Sequence, residues 1–233
     1  MLPSDLFWWP APAKLNLMLH ITARRVDGYH ELETLFQVLD GGDELAFEVN
    51  EGTDIVRVTD IADVPPEQDL VIRAAKLLQQ HAGAAQGARI HLRKRLPMGG
   101  GLGGGSSDAA TTLVALNALW NCQLDTSTLC DLGLSLGADV PVFVNGVSAF
   151  ARGVGEHLHT VVLPDAWYVV LTPNVHMSTA EVFSAPALKR DCALLADSFI
   201  EKLADFPSDE LPGENVCQPI VLSQQKEVAD ALN

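Results

Sequence analysis

A segment with six glycines in seven positions, residues 99–105, has the composition that phosphate chemistry requires. Glycine loses more backbone entropy on folding than any other residue, so a dense glycine run indicates positive φ angles or close approach of a ligand. An apolar helical pattern follows at once and begins near Ser106 and Ser107. Free backbone N–H groups at a helix start form an anion site, so the segment predicts a phosphate-binding loop. Either serine could instead only cap the helix.

Known phosphate-binding motifs fit this loop poorly. No lysine follows the glycines, which argues against a Walker A NTPase. Gly99, Gly101 and Gly104 satisfy G-x-G-x-x-G, but the preceding strand alternates and a second helix follows, so an NAD-dependent oxidoreductase is disfavoured. The lysine-strand and H-R-D signatures of protein kinases are absent from the sequence. A flexible hinge without a ligand is the remaining alternative.

The surrounding pattern supplies strands and helices that would position this loop. Alternation predicts a half-buried strand over residues 13–21, with Lys14 and Asn16 on one face. Asp27-Gly28 predicts a hairpin turn, with strands over 29–39, 44–49 and 54–58 after it. A helix is expected up to Gly83, and then a strand near residues 88–96 that leads into the loop.

The second half of the chain changes character near Gly146. Before it, one helix should bury Ala109, Leu113, Leu116 and Trp120, and a second should end at Gly137. After it come three strand-like runs and then three helical runs that start near residues 178, 191 and 214. We therefore expect two domains, residues 1–150 and 151–233.

Composition narrows the functional class. The 233 residues carry 15 basic and 30 acidic side chains, a formal net charge of −15, which disfavours nucleic-acid binding. The four cysteines form no C-x-x-C pair, so neither a zinc site nor a disulfide framework is expected. No stretch approaches the ~20 apolar residues of a membrane span, and the N-terminus does not resemble a signal peptide. A cytoplasmic protein without membrane partners is expected.

Four segments together resemble the GHMP family of small-molecule kinases. They are PAKLNLML (12–19), DGYHELETLFQ (27–37), LPMGGGLGGGSSDAA (96–110) and LGADVPVF (136–143). The second segment is similar to the branch that phosphorylates a cytidine diphosphate conjugate of methylerythritol in the non-mevalonate isoprenoid pathway, and it argues against galactose, homoserine and mevalonate kinases. The resemblance implies an α+β fold with an N-terminal lobe like domain 2 of ribosomal protein S5 and a ferredoxin-like C-terminal lobe.

The resemblance also implies roles for individual residues. Asp139 would be the base that takes the proton of the substrate's 2-hydroxyl, and Lys14 would stabilise the growing charge. Asn16 would position the substrate. The ATP phosphates would be bound by Pro97, Met98, Gly99, Gly100, Gly101, Leu102, Gly103, Gly104, Gly105, Ser106 and Ser107.

The cytidine would be bound by residues from two segments. The resemblance implies that Tyr29 stacks on the base and that His30 reads its hydrogen-bonding edge. Phe183 would be a second stacking ring, with a core phenylalanine as the alternative, and Thr179 would contact the same substrate. The expected partner is this small molecule alone, bound by a monomer or a homodimer.

Charged residues near the loop allow more than one interpretation. Mg²⁺ is expected with ATP, but the sequence holds no dense carboxylate cluster, so no protein ligand is assigned. Asp108 at the helix start favours a structural role through the helix dipole. The run Arg93-Lys94-Arg95 predicts a solvated face that could also soften the repulsion of an anionic nucleotide.

One expected feature of the family is missing from the sequence. GHMP kinases carry a third glycine-rich motif, T-G-[ST]-G-[AG], and no such segment occurs before Asn233. We therefore expect an incomplete C-terminal lobe with an unpaired sheet edge. A catalytically impaired nucleotide-binding module of the same fold is the alternative function. An RNA-binding role, which an S5-like lobe could suggest, is opposed by the net charge.

Overall fold

The computed structural model describes residues 6–61, 64–175, 177–203 and 213–232. The chain forms two compact units from interleaved stretches. The first unit comprises Met1–Ala13, Leu39–Leu96 and Gly103–Gly146, and the second comprises Lys14–Val38, Pro97–Leu102 and Val147–Asn233. The two domains expected from the sequence, divided at residue 150, stay a prediction.

Two long strands run through both units. Strand β1 (Trp8–Arg24) pairs with β2 (His30–Asn50). Two strands were expected over residues 29–49, and this was wrong, because β2 continues through Gly41-Gly42. A side chain at Gly42 would collide with the carbonyl oxygen of Ala11 in β1, so glycine allows the close approach of the two backbones there.

The first unit packs four helices beside a mixed sheet. Strand β3 (Ile55–Arg57) lies parallel to β4 (Gly87–Arg93), which lies antiparallel to the second half of β2. Helix α1 (Leu70–Ala82) begins at the cap Asp69 and ends at Gly83 with φ 64°. The remaining helices are α2 (Gly104–Leu119), α3 (Thr126–Leu136) and α4 (Val140–Asn145).

Helix α2 lies at the centre of this unit and packs against α1, α3 and α4. The expected stripe is confirmed, since Ala109, Leu113, Leu116 and Trp120 are all buried. Burial extends beyond the stripe to polar residues of the first turns, such as Ser107 and Thr112. A helix buried on most of its surface is held by packing on every side, which fixes the position of its first turn.

The second unit pairs short strands with the first half of β2. Strand β5 (Ala149–Gly153) is antiparallel to β2 and to β6 (His157–Thr160). Among the described residues, four short helices follow, α5 (Thr179–Ser184), α6 (Asp197–Glu201), α7 (Gln218–Gln224) and α8 (Lys226–Ala231). Helices α5 and α7 cover a core around Leu19 and Ile21 of β1.

Two expectations for the second half were wrong. The third strand-like run, residues 167–174, has no regular structure, because no strand among the described residues pairs with it. The helix expected near residue 191 begins only at Asp197. The mixed sheet with helices nevertheless confirms the α+β class. Among the described residues, no helix has the length and apolar character needed to cross a membrane.

Candidate active site

The glycine loop has the backbone that its sequence predicts. Gly99, Gly101 and Gly103 have φ angles of 73°, 73° and 74°, in the left-handed region that favours glycine. Gly103 is the cap residue of α2, and no side chain caps this helix start. The N–H groups in the first turn of α2 therefore bond to no capping side chain and can donate to a ligand. They lie at the positive end of the helix dipole.

Buried polar atoms lie just inside that helix start. The hydroxyl of Ser107 and one carboxylate oxygen of Asp108, Oδ1, are fully buried and have no hydrogen-bond partner among the described residues. Polar atoms buried in this way cost free energy unless a ligand or water satisfies them. The uncapped N–H groups of the helix start beside them are the part of this site that fits a phosphate.

An ion-pair cluster anchors the strand that leads into the loop. Lys94 Nζ lies 2.5 Å from Asp43 Oδ2 and 2.8 Å from Asp108 Oδ2. The other Asp43 oxygen accepts the N–H groups of Arg95 and Leu96 at 2.5 and 2.8 Å. The expected solvated face was wrong for Lys94, which is partly buried because two carboxylates surround it. This cluster fixes the entry of the chain into the loop.

Asp108 is strongly perturbed in this cluster. Burial raises the pKa of its carboxyl group to about 7, against the opposing effect of the Lys94 ammonium, and the nearby Asp43 carboxylate adds to the rise. The structural role expected for Asp108 agrees with this contact to Lys94, but its expected place in the first turn was wrong, because α2 begins at Gly104 and its first turn carries no acidic residue. The carboxyl group therefore titrates near neutral pH, beside the start of α2.

Lys14 and Asn16 lie on one face of β1, as the strand period predicts. Lys14 is 5% exposed, and its Nζ donates to Asn16 Oδ1 at 2.5 Å. Asn16 Nδ2 donates in turn to the buried hydroxyl of Thr34 at 2.8 Å, and Thr34 donates to the carbonyl oxygen of Met18 at 2.7 Å. This chain of bonds fixes the Asn16 amide with its oxygen toward the lysine. The backbone N–H of Lys14 bonds to the carbonyl oxygen of Leu102, so β1 contacts the glycine loop within the second unit.

Asp139 stands at the start of α4 and does not cap it. Its φ and ψ of −84° and −9° are helical, and its side chain makes no capping hydrogen bond. The missing bond argues against a purely capping role for this side chain. Within the first unit, a Cβ built at Gly137 would lie 3.8 Å from Ser106 Oγ, so the segment that carries Asp139 runs beside the start of α2.

The second unit brings two of the predicted cytidine-binding residues together. The rings of His30 and Phe183 have centroids 5.3 Å apart and planes inclined at 56°. Tyr29 is 62% exposed in the hairpin turn, where its N–H bonds to the Asp27 carboxylate at 3.1 Å. Thr179 is the exposed first residue of α5. Phe183 also packs against the core around Leu19 and Ile21, as its alternative as a core phenylalanine expects, and its stacking role stays a prediction.

Sequence reasoning missed three residues that hold these groups in place. Thr34 orients Asn16, Asp43 anchors the chain before the loop, and Arg190 donates to His30 Nε2 at 3.1 Å. The two-residue period of a strand could have indicated Thr34, because it lies on the same face of β2 as His30. No local signal connects Arg190 with His30, because 160 positions of sequence separate them.

Comparison with known proteins decides the family. A family model described as the GHMP kinases N terminal domain matches residues 69–147. The 4-diphosphocytidyl-2-C-methyl-D-erythritol kinase of Shewanella loihica is 54% identical over 225 residues, which cover 96% of this chain and 76% of that protein. The protein of the same name from Nitrosococcus oceani is 55% identical, covering 97% and 78%. The chain belongs to the 4-diphosphocytidyl-2-C-methyl-D-erythritol kinase family.

A solved structure agrees with this membership. A crystal structure of 4-(cytidine 5'-diphospho)-2C-methyl-D-erythritol kinase superposes with a TM-score of 0.77 at 36% identity, over 97% of this chain and 81% of that one. The names of these relatives confirm that the chain is a small-molecule kinase, as its motifs indicated. They favour it over a catalytically impaired nucleotide-binding module. Kinases of this kind use ATP, and the glycine loop is the part of the chain whose backbone suits its phosphates.

Proposed function

We propose that this chain transfers the γ-phosphoryl group of ATP to the 2-hydroxyl of 4-diphosphocytidyl-2-C-methyl-D-erythritol, a step of the non-mevalonate route to isoprenoid precursors. The observation that carries the proposal is the 54% identity, over 96% of the chain, to an enzyme named for that substrate. Three features support it. The glycine loop suits the phosphates of ATP, Lys14 suits the charge of the transferred group, and the His30–Phe183 pair suits the cytosine base.

The phosphates of ATP are bound by the segment from Pro97 to Ser107. The uncapped N–H groups at the start of α2 and the left-handed glycines support this role. The buried Ser107 hydroxyl, which has no protein partner among the described residues, donates to a phosphate oxygen. Mg²⁺ neutralises phosphate charge in such reactions. No group of three potential metal ligands occurs among the described residues, so we expect the ion to be held mainly by ATP and water.

Asp139 and Lys14 share the chemistry of the transfer. The Asp139 carboxylate takes the proton of the 2-hydroxyl as the oxygen attacks the γ-phosphorus, and the bond to the β-phosphate oxygen breaks to release ADP. Lys14 stabilises the negative charge on the transferred group. Asn16, oriented by Thr34, holds the ammonium of Lys14 and keeps a second amide hydrogen for the substrate.

The cytidine is bound in the second unit. Tyr29, exposed and held by the turn, stacks on the base, the Phe183 ring lies on its other side, and His30 reads the hydrogen-bonding edge of the base. Thr179, at the first turn of α5, contacts the same substrate. Stacking of this kind contributes about 1–3 kcal/mol per base, so it determines the affinity for the substrate more than its reactivity.

A substrate panel tests the proposal. The purified chain is assayed for ADP release with the cytidine diphosphate conjugate of methylerythritol, mevalonate, homoserine and galactose, and ³¹P NMR locates the new phosphate. We expect turnover with the first compound alone and a phosphate monoester on its 2-hydroxyl. Turnover with another acceptor, or ATP binding without turnover on any acceptor, would contradict the proposal.

A further inference from the structure

Arg190 is held by backbone carbonyls and not by an acid. Its Nη1 donates to the carbonyl oxygen of Leu188 at 3.0 Å, and its Nη2 donates to those of Phe183 and Ala185, both at 2.9 Å. These carbonyls lie at the end of α5 and just after it. Among the described residues no carboxylate pairs with Arg190. The guanidinium is therefore fixed in position while its positive charge stays uncompensated by a local anion.

The remaining donor of this guanidinium is directed at His30. Arg190 Nε–H donates to His30 Nε2 at 3.1 Å. Arginine stays protonated and has no acceptor, so the imidazole nitrogen must supply the lone pair. An imidazole that accepts at Nε2 is neutral and carries its proton on Nδ1. The contact thus selects one of the three protonation forms of His30.

The charges around His30 act in the same direction. Burial lowers the pKa of this histidine, and the positive charges of Arg190 and of Arg24, at the end of β1, lower it further. Phe183, the ring neighbour from α5, is uncharged. No described residue accepts a hydrogen bond from Nδ1 of His30. That N–H is therefore available to a ligand beside the two rings.

We propose that Arg190 is a positioning residue that holds His30 neutral with its proton on Nδ1, so that the site favours cytosine over uracil. The inference rests on the proposed function, which places a cytidine beside His30. Cytosine presents a lone pair at N3, which accepts from Nδ1–H. Uracil carries a hydrogen on its N3, and two donors would then face each other. The proton on the imidazole thereby distinguishes two bases of the same shape.

The tautomer of His30 can be measured without any turnover. Long-range ¹H–¹⁵N spectra of the whole protein separate a protonated imidazole nitrogen from one with a lone pair, and the variant His30→Gln assigns the signal. At pH 7 we expect the proton on Nδ1 in the natural protein. In Arg190→Met we expect loss of that preference and a rise of the His30 pKa toward its usual value. Lys189→Met removes the neighbouring exposed cation, which pairs with Glu214, and serves as the control with an unchanged spectrum.

Base preference is the second readout. The ratio of kcat/KM for the cytidine conjugate to that for the uridine conjugate should fall about tenfold in Arg190→Met, through KM and not kcat. Arg190→Lys, which keeps the charge and one donor, should restore part of the ratio. A merely structural role, such as fixing the end of α5, would lower both values of kcat/KM equally and leave the ratio unchanged, which would overturn the inference.

The two proposals fail separately. If the natural protein does not phosphorylate the cytidine conjugate, the proposed function fails, and the ¹⁵N spectrum still decides whether Arg190 sets the tautomer. If Arg190→Met does not fold, the natural protein and Arg190→Lys suffice, since a proton on Nε2 in the natural protein would overturn the inference directly. Turnover with an unchanged base preference in Arg190→Met would overturn it while leaving the proposed function intact.

Discussion

Thr34 holds the Asn16 amide that accepts from the Lys14 ammonium. Its buried hydroxyl connects the Asn16 amide to the Met18 carbonyl, so the orientation of Asn16 depends on it. A valine has nearly the same shape but neither donates nor accepts. The loss would leave two polar groups without partners, at a cost of about 1–3 kcal/mol.

We therefore expect Thr34→Val to lower kcat about tenfold and to leave the KM for ATP within about twofold, because Asn16 would no longer hold the ammonium in one place. Steady-state kinetics give both values. Thr22→Val is the matched control, since the Thr22 hydroxyl makes a single 3.3 Å bond to the Glu31 carbonyl in the same strand pair. Equal losses in the two variants would indicate a general packing defect and would remove Thr34 from this role.

Asp108 should make stability depend on pH near neutrality. Its pKa rises from 3.8 to about 7 in the folded chain, so the folded state binds the proton more tightly than the unfolded state does. This contribution to the free energy of unfolding is complete below about pH 4 and is lost as the pH rises to about 7. Urea unfolding from pH 4.5 to 8 should show that decline, and Asp108→Asn should flatten it. A variant with the same slope as the natural protein would refute the assignment.

Residue-level prediction from the sequence succeeded where a short-range rule applied. The strand period alone placed Lys14 and Asn16 on one face, and their side chains are in fact bonded. It failed for Arg190, because a contact across 160 positions leaves no periodic trace. It also failed for Lys94. The arginines on either side of it pair with Glu44 at the surface, but Lys94 contacts buried carboxylates. The roles of Asp139, Tyr29 and Thr179 stay predictions.

The glycine loop and helix α2 form the element that we propose binds the nucleotide. Gly101 and Gly83 offer a matched comparison, since their φ angles are 73° and 64° and a Cβ at either would meet nothing within 4 Å. One lies in the loop and the other ends α1. A left-handed alanine costs about 1–2 kcal/mol at either site, so the two substitutions should destabilise the protein similarly.

Their effects on ATP should differ. Gly101→Ala strains the loop and should raise the KM for ATP about fivefold or more, because about 1 kcal/mol of strain opposes the conformation that binds phosphate. Gly83→Ala should leave that KM unchanged. Thermal unfolding and ATP titration of both variants provide the measurements. If Gly83→Ala weakened ATP binding as much as Gly101→Ala does, the loop would have no special part in it.

Elements with a clear period or a capping residue were predicted well from the sequence. Helices α1 and α2 were expected at the positions where they occur, and Gly83 and Gly137 end helices as proposed. The continuous strand β2 was not expected, because Gly41-Gly42 has the composition of a turn, and only contact with β1 explains why glycine stands there. Residues 167–174 have the composition of a strand, but strand formation also requires a partner.

At the scale of the whole molecule, the chain alternates between two compact units and leaves an apolar segment exposed. Val162 is 78% exposed, Trp167 103%, Val169 90% and Leu171 62%. Contiguous exposed apolar side chains favour association between molecules, which the net charge of −15 opposes.

We expect the double variant Trp167→Ser/Val169→Thr to raise the concentration at which the protein begins to scatter light, most clearly at high salt, where screening removes the charge repulsion. Leu194→Ser is the control, because Leu194 is 71% exposed but lies outside that segment. Light scattering over a concentration series measures the effect. An equal gain from the control would mean that the segment has no particular role in association.

Phosphoryl transfer by the natural protein and by Asp139→Asn decides whether this chain carries out the proposed reaction. Both are mixed with radiolabelled ATP and the cytidine diphosphate conjugate of methylerythritol, and ATP binding is titrated in parallel. We expect a labelled 2-phosphate from the natural protein and a loss of at least about 100-fold in kcat for Asp139→Asn, with ATP binding retained. Transfer at an undiminished rate by Asp139→Asn would contradict this expectation.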